Sequence, residues 1–204
     1  MIKNIIFDFG DIFINLDKKA TVAELHKLGI ETISDEMIQA AKVYEKGLIS
    51  SEEFINIHQE IFYFLTTQQL TFAWNAVLKD LPKHRLDFIK NLADSEKYRL
   101  FLLSNTNEMH ISWIKENWGK DQFKAFKNCF EKFYLSHEIH LRKPDAEIFE
   151  FVLKENQLIA EETLFIDDVA ENTATAEEMG IQVWNLVPGE EDVADLFIKN
   201  ELLF

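Results

Sequence analysis

The chain has 204 residues, is 47% hydrophobic and 13% aromatic, carries a formal charge of −15 and contains one cysteine. That apolar content excludes a disordered chain, and the size allows one sizeable core with a small accessory unit. The acidity argues against nucleic acid and anionic membranes as partners, since both would be repelled.

Cys129 has no partner for an intrachain disulfide, which fits a reducing cytoplasm; between Phe126 and Phe130 it reads as apolar packing rather than a nucleophile. No apolar stretch is long enough to span a bilayer, and Ile5-Ile6-Phe7 stops at Asp8, too soon for a secretory signal. The expectation is a soluble cytoplasmic protein, monomeric or weakly dimeric, with no membrane partner.

In chain order, residues 5–7 read as a buried strand ending at Asp8-Phe9-Gly10-Asp11. Residues from about 16 to 80 hold only helical periodicities. Ser50 with Glu53 predicts a capping box, opening a helix with Phe54, Ile57, His58 and Ile61 on one face. Leu70, Ala73, Trp74, Val77 and Leu78 predict another at i, i+3, i+4, i+7 and i+8. Leu86, Ile89 and Leu92 mark the next helix, and residues 100–104 read as a strand ending in Ser104-Asn105. A strand at 133–135 follows. Leu141-Arg142-Lys143-Pro144-Asp145 then leads into a helix carrying Ile148, Phe149, Val152 and Leu153, with Pro144 at its start. Residues 164–166 form a strand ending at Asp167-Asp168, a helix runs from Asn172 to Met179 and stops at Gly180, and 183–186 is the last strand.

Strands alternating with helices predict a doubly wound parallel α/β sheet. A helical insertion after its first strand would lie as a lid over the strand ends. The expected boundaries are 1–15 with 81–204 for a Rossmann-like core and 16–80 for the cap.

Asp8, Ser104-Asn105 and Asp167-Asp168 each stand where a buried strand ends, and in an open parallel sheet those ends share one crevice. Each has an ordinary reading alone: Asp8 in an Asx turn, Asp167-Asp168 as a loop pair capping the next helix, Ser104-Asn105 as a strand-to-loop junction, Lys143 as a surface lysine. Together they supply a carboxylate nucleophile, a hydroxyl, a lysine and a paired acid, which suits phosphoryl transfer on a metal. Adjacent buried acids repel unless a cation lies between them, and oxygen-only ligands suit Mg²⁺. Because the net charge repels phosphate at long range, such a site must rely on local amides, one lysine and the metal.

The order of these motifs, their strand-end contexts and the position of the insertion resemble the haloacid dehalogenase superfamily over essentially the whole chain. The resemblance implies a Mg²⁺-dependent phosphatase acting on a small phosphate ester. Asp8 would attack phosphorus, the Ser104 hydroxyl and the Asn105 amide would cradle the phosphoryl oxygens, and Lys143 would neutralise the charge. Mg²⁺ would be held by Asp8, the Gly10 carbonyl and Asp168, with Asp167 acting through water. The segment Phe7-Asp8-Phe9-Gly10-Asp11-Ile12, residues 165–172 and the stretch 44–50 with Glu53-Phe54 look similar to the α-D-glucose-1-phosphate phosphatase branch.

Position 10 is glycine, where most of those phosphatases carry a second aspartate serving as acid and base. Such help is typically worth about 10²–10⁴ in rate. The expected ester therefore has a readily departing alcohol: an anomeric sugar phosphate such as glucose 1-phosphate, or an acyl or aryl phosphate. Asp11 is a candidate substitute if the turn presents it inward; otherwise it bonds backbone in the turn. Haloacid dehalogenases also lack that acid, but they lack the adjacent acid pair and need no metal. A non-catalytic regulatory protein binding Mg²⁺ and phosphate is the alternative from another class. In the cap, Trp74-Asn75 joins an apolar plate to an amide, as suits a sugar face, although Trp74 at this spacing also reads as core. His26, Tyr44 and His58 are further candidates for the opening, and Arg142 reads as solvent-facing or steering.

Overall fold

The computed structural model describes residues 1–204. Five parallel strands, β1 (Asn4–Phe7), β2 (Arg99–Ser104), β3 (Lys132–Leu135), β4 (Thr163–Asp167) and β5 (Gln182–Asn185), lie in the order β3-β2-β1-β4-β5. Helices cover both faces, so the strands are unbroken apolar runs rather than alternating ones. Ile5, Ile6 and Phe7 of the central strand are completely buried.

On one face Ile5, Phe7, Leu102 and Ile166 pack with Leu86 and Ile89 of α5 (Lys83–Asp94), Ile111 and Ile114 of α6 (Glu108–Trp118), and Phe123 and Phe126 of α7 (Lys120–Lys127). On the other, Ile6, Phe101, Leu103 and Phe165 meet Ile148, Phe149 and Val152 of α9 (Ala146–Asn156) and Ala176 of α10 (Ala170–Glu178). Of two short helices, α8 (Ser136–Ile139) borders this layer through Ile139, and α11 (Leu196–Lys199) buries Leu196 in the first.

Between β1 and α5 the chain forms α1 (Ala20–Lys27), α2 (Asp35–Glu45), α3 (Ser51–Ile61) and α4 (Thr67–Asn75). These helices gather Leu25, Met37, Tyr44, Phe54, Leu70 and Ala73 into a separate core and make a helical cap inserted after the first strand. Ser50 and Glu53 form the expected capping box, and Thr66 with Gln69 makes another at α4. The incoming and outgoing segments are zipped together: Asn15 N–H donates to Asp80 O at 2.9 Å, Lys79 N–H to Asn15 O at 3.0 Å and Asp17 N–H to Val77 O at 2.8 Å. At the opposite seam Gly47 (φ +63°) runs so close to α8 that a Cβ there would stand 2.0 Å from the His137 carbonyl oxygen.

Three sequence-based boundaries shift. The periodicity placed Val77 and Leu78 on a helix, but α4 stops at Asn75, and Leu78 instead packs into the large core beneath the sheet. Pro144 precedes its helix, which starts at Ala146 after Asp145. The last strand ends at Asn185, with Leu186 buried just beyond it. Gly180 takes a left-handed φ of +84° just past α10, as a helix stop requires. No helix is long and apolar enough to cross a membrane.

Candidate active site

The strand order reverses beside β1, so β1 and β4 open the crevice at their carboxyl ends. Phe7 pairs with Ile166, and Asp8 N–H donates to Ile166 O at 2.8 Å; Asp8 and Asp167 thus leave the sheet side by side. The loop after Asp8 is held from below by aromatic rings: Phe9 stacks on Phe126 at 5.4 Å, and Phe13 meets Phe126 edge-on at 5.2 Å.

Lys143 brings the motifs together. Its ammonium donates to Asp8 Oδ1 at 2.6 Å, to Asp167 Oδ2 at 2.6 Å and to Leu103 O at 2.8 Å, which uses all three of its protons. Asn105 braces it: the Asn105 side chain donates to Lys143 O at 2.8 Å and accepts from Lys143 N–H at 2.9 Å. Asp167, fully buried, also accepts from Val169 N–H at 2.8 Å and from the Asn172 side chain at 3.0 Å. Ser104, the last residue of β2, is buried at the same end of the sheet.

Asp168 is paired on its outer side with Lys18, whose ammonium lies 2.5 Å from Asp168 Oδ2 and 3.1 Å from Asp11 Oδ2. Carboxylate oxygens of Asp8, Asp167 and Asp168 all lie within 4.8 Å of one another. Burial pushes Asp8 up to about 7; Lys143 opposes that rise and Asp167 adds to it. Burial also raises Asp168, against the pull of Lys18. For Lys143, burial acts downward, but the carboxylates of Asp167 and Asp8 outweigh it and hold the ammonium charged. Three crowded carboxylates would be stabilised by further positive charge, and the all-oxygen donor set matches a hard divalent cation.

A Cβ on Gly10 would stand 2.7 Å from Leu16 Cδ1 and 3.9 Å from Asp8 Oδ2. Position 10 therefore faces the Asp8 carboxylate, and Leu16 fills the space that a second acid would use. Asp11 sits at φ +54°; its Oδ1 accepts from Leu16 N–H at 3.0 Å and its Oδ2 pairs with Lys18, so its carboxylate fixes the turn.

In the cap, Trp74 and Asn75 do not share a surface. Trp74 packs against Phe54 (4.6 Å) and lines a cavity between α1 and α2, while Asn75 lines a groove toward α6. Successive helical residues point about 100° apart, which separates them. His26 is exposed. Tyr44 is buried, its hydroxyl 2.6 Å from Ser51 Oγ and accepting from Met109 N–H at 3.1 Å. His58 is buried in the cap core, with Nδ1 2.8 Å from Phe54 O. Arg142 is not free in solvent but pairs with Glu45 of the cap at 3.2 Å.

Sequence reasoning missed Lys18, Asn172 and Glu45. Lys18 and Glu45 meet partners 150 and 97 residues away, which no local pattern reports, whereas Asn172 lies only five residues after Asp167 on the first turn of α10. His110 was also missed. Its Nε2 lies 3.2 Å from the Trp74 carbonyl and its ring stacks on Trp74 at 5.6 Å; burial pushes it down to about 4.

The haloacid dehalogenase-like hydrolase family matches residues 2–180. The chain is 33% identical to D-ribitol-5-phosphate phosphatase of Bacteroides thetaiotaomicron, over 90% of this chain and 91% of that one. A haloacid dehalogenase family enzyme from the same bacterium, solved with magnesium and inorganic phosphate, superposes with a TM-score of 0.84 at 36% identity, covering 97% of this chain and 100% of that one. A predicted HAD-like family hydrolase from Porphyromonas gingivalis superposes with a TM-score of 0.82 at 31% identity, covering 100% of this chain and 98% of that one. Matches of this extent in sequence and in fold agree, and this chain belongs to the haloacid dehalogenase-like hydrolases.

Proposed function

We propose that the chain is a Mg²⁺-dependent phosphatase that hydrolyses small phosphate monoesters through an aspartyl-phosphate at Asp8. The observation that carries this reading is Lys143 bridging Asp8 and Asp167 at 2.6 Å each, beside a third carboxylate. The comparisons support it: a relative is a phosphatase of D-ribitol 5-phosphate, and a similar structure was solved with magnesium and inorganic phosphate.

In this reading Asp8 attacks phosphorus, its new O–P bond replacing the ester P–O bond as the alcohol oxygen leaves as an alkoxide and takes a proton from solvent water. Lys143 favours the ionised form of Asp8 and shares the charge of the phosphoryl group. The Ser104 hydroxyl and the Asn105 backbone N–H receive phosphoryl oxygens as an oxyanion site does. Mg²⁺, held by Asp8, Asp168 and the Gly10 carbonyl with Asp167 behind it, would offset the repulsion between carboxylate and phosphate. Water then attacks the phosphoryl group, its O–P bond replacing the Asp8 O–P bond and its proton passing to solvent, so that inorganic phosphate leaves and Asp8 is freed.

With Leu16 in place of an acid beside Gly10, the departing oxygen receives no proton from position 10. This favours good leaving groups, of which glucose 1-phosphate is the sugar example; D-ribitol 5-phosphate is the ester suggested by the relative. The alcohol itself is selected by the cap, and the lone Cys129 supports a cytoplasmic location.

The test is phosphate release from acetyl phosphate, glucose 1-phosphate and D-ribitol 5-phosphate, with and without Mg²⁺, for wild type and Asp8→Asn. Release needing both Mg²⁺ and Asp8, with Asp8→Asn slower by about 10³-fold or more, supports the proposal. Binding of Mg²⁺ and phosphate without release from any ester would make the chain a non-catalytic binding protein.

A further inference from the structure

We propose that Lys18 is the resident counter-ion of the metal site: its ammonium holds Asp168 until Mg²⁺ arrives, then gives up Asp168 and stays on Asp11. The inference rests on the phosphatase reading above and deepens it, naming how the metal site is held before the metal binds.

Two lysines of opposite character serve the carboxylate centre. Lys143 is enclosed and spends all three protons on Asp8, Asp167 and Leu103. Moving it would strand two buried carboxylates. Lys18 reaches the same centre from the rim, with 58% of its side chain exposed. It meets only two groups there, Asp168 Oδ2 at 2.5 Å and Asp11 Oδ2 at 3.1 Å. An ammonium so placed can be released at the small cost of an exposed ion pair.

The two partners differ as well. Asp168 belongs to the trio of carboxylates whose oxygens lie within 4.8 Å of one another, and Asp11 stands outside that trio. A divalent cation drawn to the trio needs an oxygen of Asp168. An ammonium still resting on that carboxylate would face a double positive charge a few ångströms away, and the two would repel. Asp11 offers the retreat. Its Oδ1 is fixed by Leu16 N–H at 3.0 Å, which leaves Oδ2 for Lys18.

The backbone around Lys18 is anchored, so the exchange needs only side-chain rotation. Asp17 N–H donates to Val77 O at 2.8 Å, Lys19 N–H to Asp17 Oδ1 at 3.2 Å and Ala20 N–H to Asp17 O at 2.9 Å. The charges also balance. When ionised, Asp8, Asp11, Asp167 and Asp168 face two ammoniums, those of Lys18 and Lys143. The two negative charges left over match one divalent cation, so Lys18 need not leave the crevice. Lys18 thus eases the repulsion among carboxylates in metal-free protein and competes with the metal for one of them.

The test measures Mg²⁺ binding by calorimetry on the full chain, for wild type, Lys18→Met and Lys18→Arg. Lys18→Met should bind Mg²⁺ about fivefold more tightly, the worth of one exposed ion pair, and Lys18→Arg, which keeps the charge, no more tightly than wild type. Wild-type crystals grown without and with MgCl₂ read the exchange directly and need no variant. With metal, Lys18 Nζ should stand beyond about 4 Å from Asp168 and remain on Asp11. Equal or weaker Mg²⁺ binding by Lys18→Met, or metal-bound crystals with Lys18 still on Asp168, overturns the exchange and leaves the phosphatase standing, provided acetyl phosphate is hydrolysed with Mg²⁺. If neither wild type nor Lys18→Met binds Mg²⁺, the metal site falls and the exchange with it, and acetyl phosphate then decides the phosphatase reading separately.

Discussion

At the carboxyl end of the sheet nearly every polar side chain is tied to another: Lys143 spends three protons on Asp8, Asp167 and Leu103, and Asp167 is further held by Val169 and Asn172. The cap is built the other way. Two of its four helices, α3 and α4, are closed by local capping boxes, and its core is apolar and leaves a cavity. The first region fixes charge in place and suits one reaction on one kind of group. The second has few directional bonds to break, so its side chains can change size with little penalty to the chemistry below.

The contrast breaks most visibly at Lys143. Lys143→Met leaves Asp8 and Asp167 facing each other in a buried site without their cation, and removing one partner of a buried pair typically costs about 3–5 kcal/mol. Urea unfolding should show that loss in metal-free protein and a partial recovery with Mg²⁺. An equal loss with and without Mg²⁺ would mean that the carboxylates are not a metal site.

Gly10 sharpens the comparison where the two regions touch. Gly10→Asp combined with Leu16→Ala restores an acid and clears the space it needs, and should raise kcat on D-ribitol 5-phosphate by about 10–10², with a smaller gain on acetyl phosphate. Gly10→Asp alone, with Leu16 in its way, should gain less.

Two buried groups give opposite pH dependences. Asp8 has its folded pKa raised from 3.8 to about 7. Between those values the folded state binds more protons, so Asp8 lowers stability as pH rises from about 4 to 7. His110 has its folded pKa lowered from 6.5 to about 4, so its contribution is lost as pH falls from about 6.5. In metal-free protein Asp8→Asn should leave a stability that rises with pH in this window, and His110→Gln one that falls, each by at most about 1.4 kcal/mol per pH unit. Identical slopes in both variants would refute the assignment.

The smallest effect lies wholly within the cap. Ser50→Ala removes one side of the capping box and should cost about 1 kcal/mol, read as a lower midpoint of unfolding. The kcat on acetyl phosphate should stay near wild type.

The division between what the sequence revealed and what it concealed follows the same physics. The strands were legible because both faces of a parallel sheet are buried, so residues 100–103 and 164–166 are unbroken apolar runs. The reactive cluster was legible because its members stand at strand ends, where chain order alone brings them into one crevice. The helices α6 and α7 were not recognised: α6 mixes its buried positions with Trp113 and Trp118, and α7 spans only eight residues, so its Phe123 and Phe126 face does not repeat. The bracing of Lys143 by Asn105 and the pairing of Lys18 with Asp168 span 38 and 150 residues, and only the fold makes them neighbours. Trp74 and Asn75, adjacent in sequence, were expected to act as a pair, and the helical rotation between them sends each to a different cavity.

The zipped segments at Asn15 and Lys79-Asp80 have a consequence for how such a protein can be altered. Where hydrogen-bonded strands run side by side their backbones lie only about 5 Å apart, a gap that a short turn can bridge. We propose that residues 16–78 can be cut out and Asn15 joined to Lys79 through a short turn, the large core losing only the contacts of Leu16, Val77 and Leu78, or replaced by a foreign helical insert. Leu16 would leave with the excised piece, uncovering the space beside Gly10. Exchange of one lid for another would then alter both what the carboxylates are shown and how much room an acid has beside them.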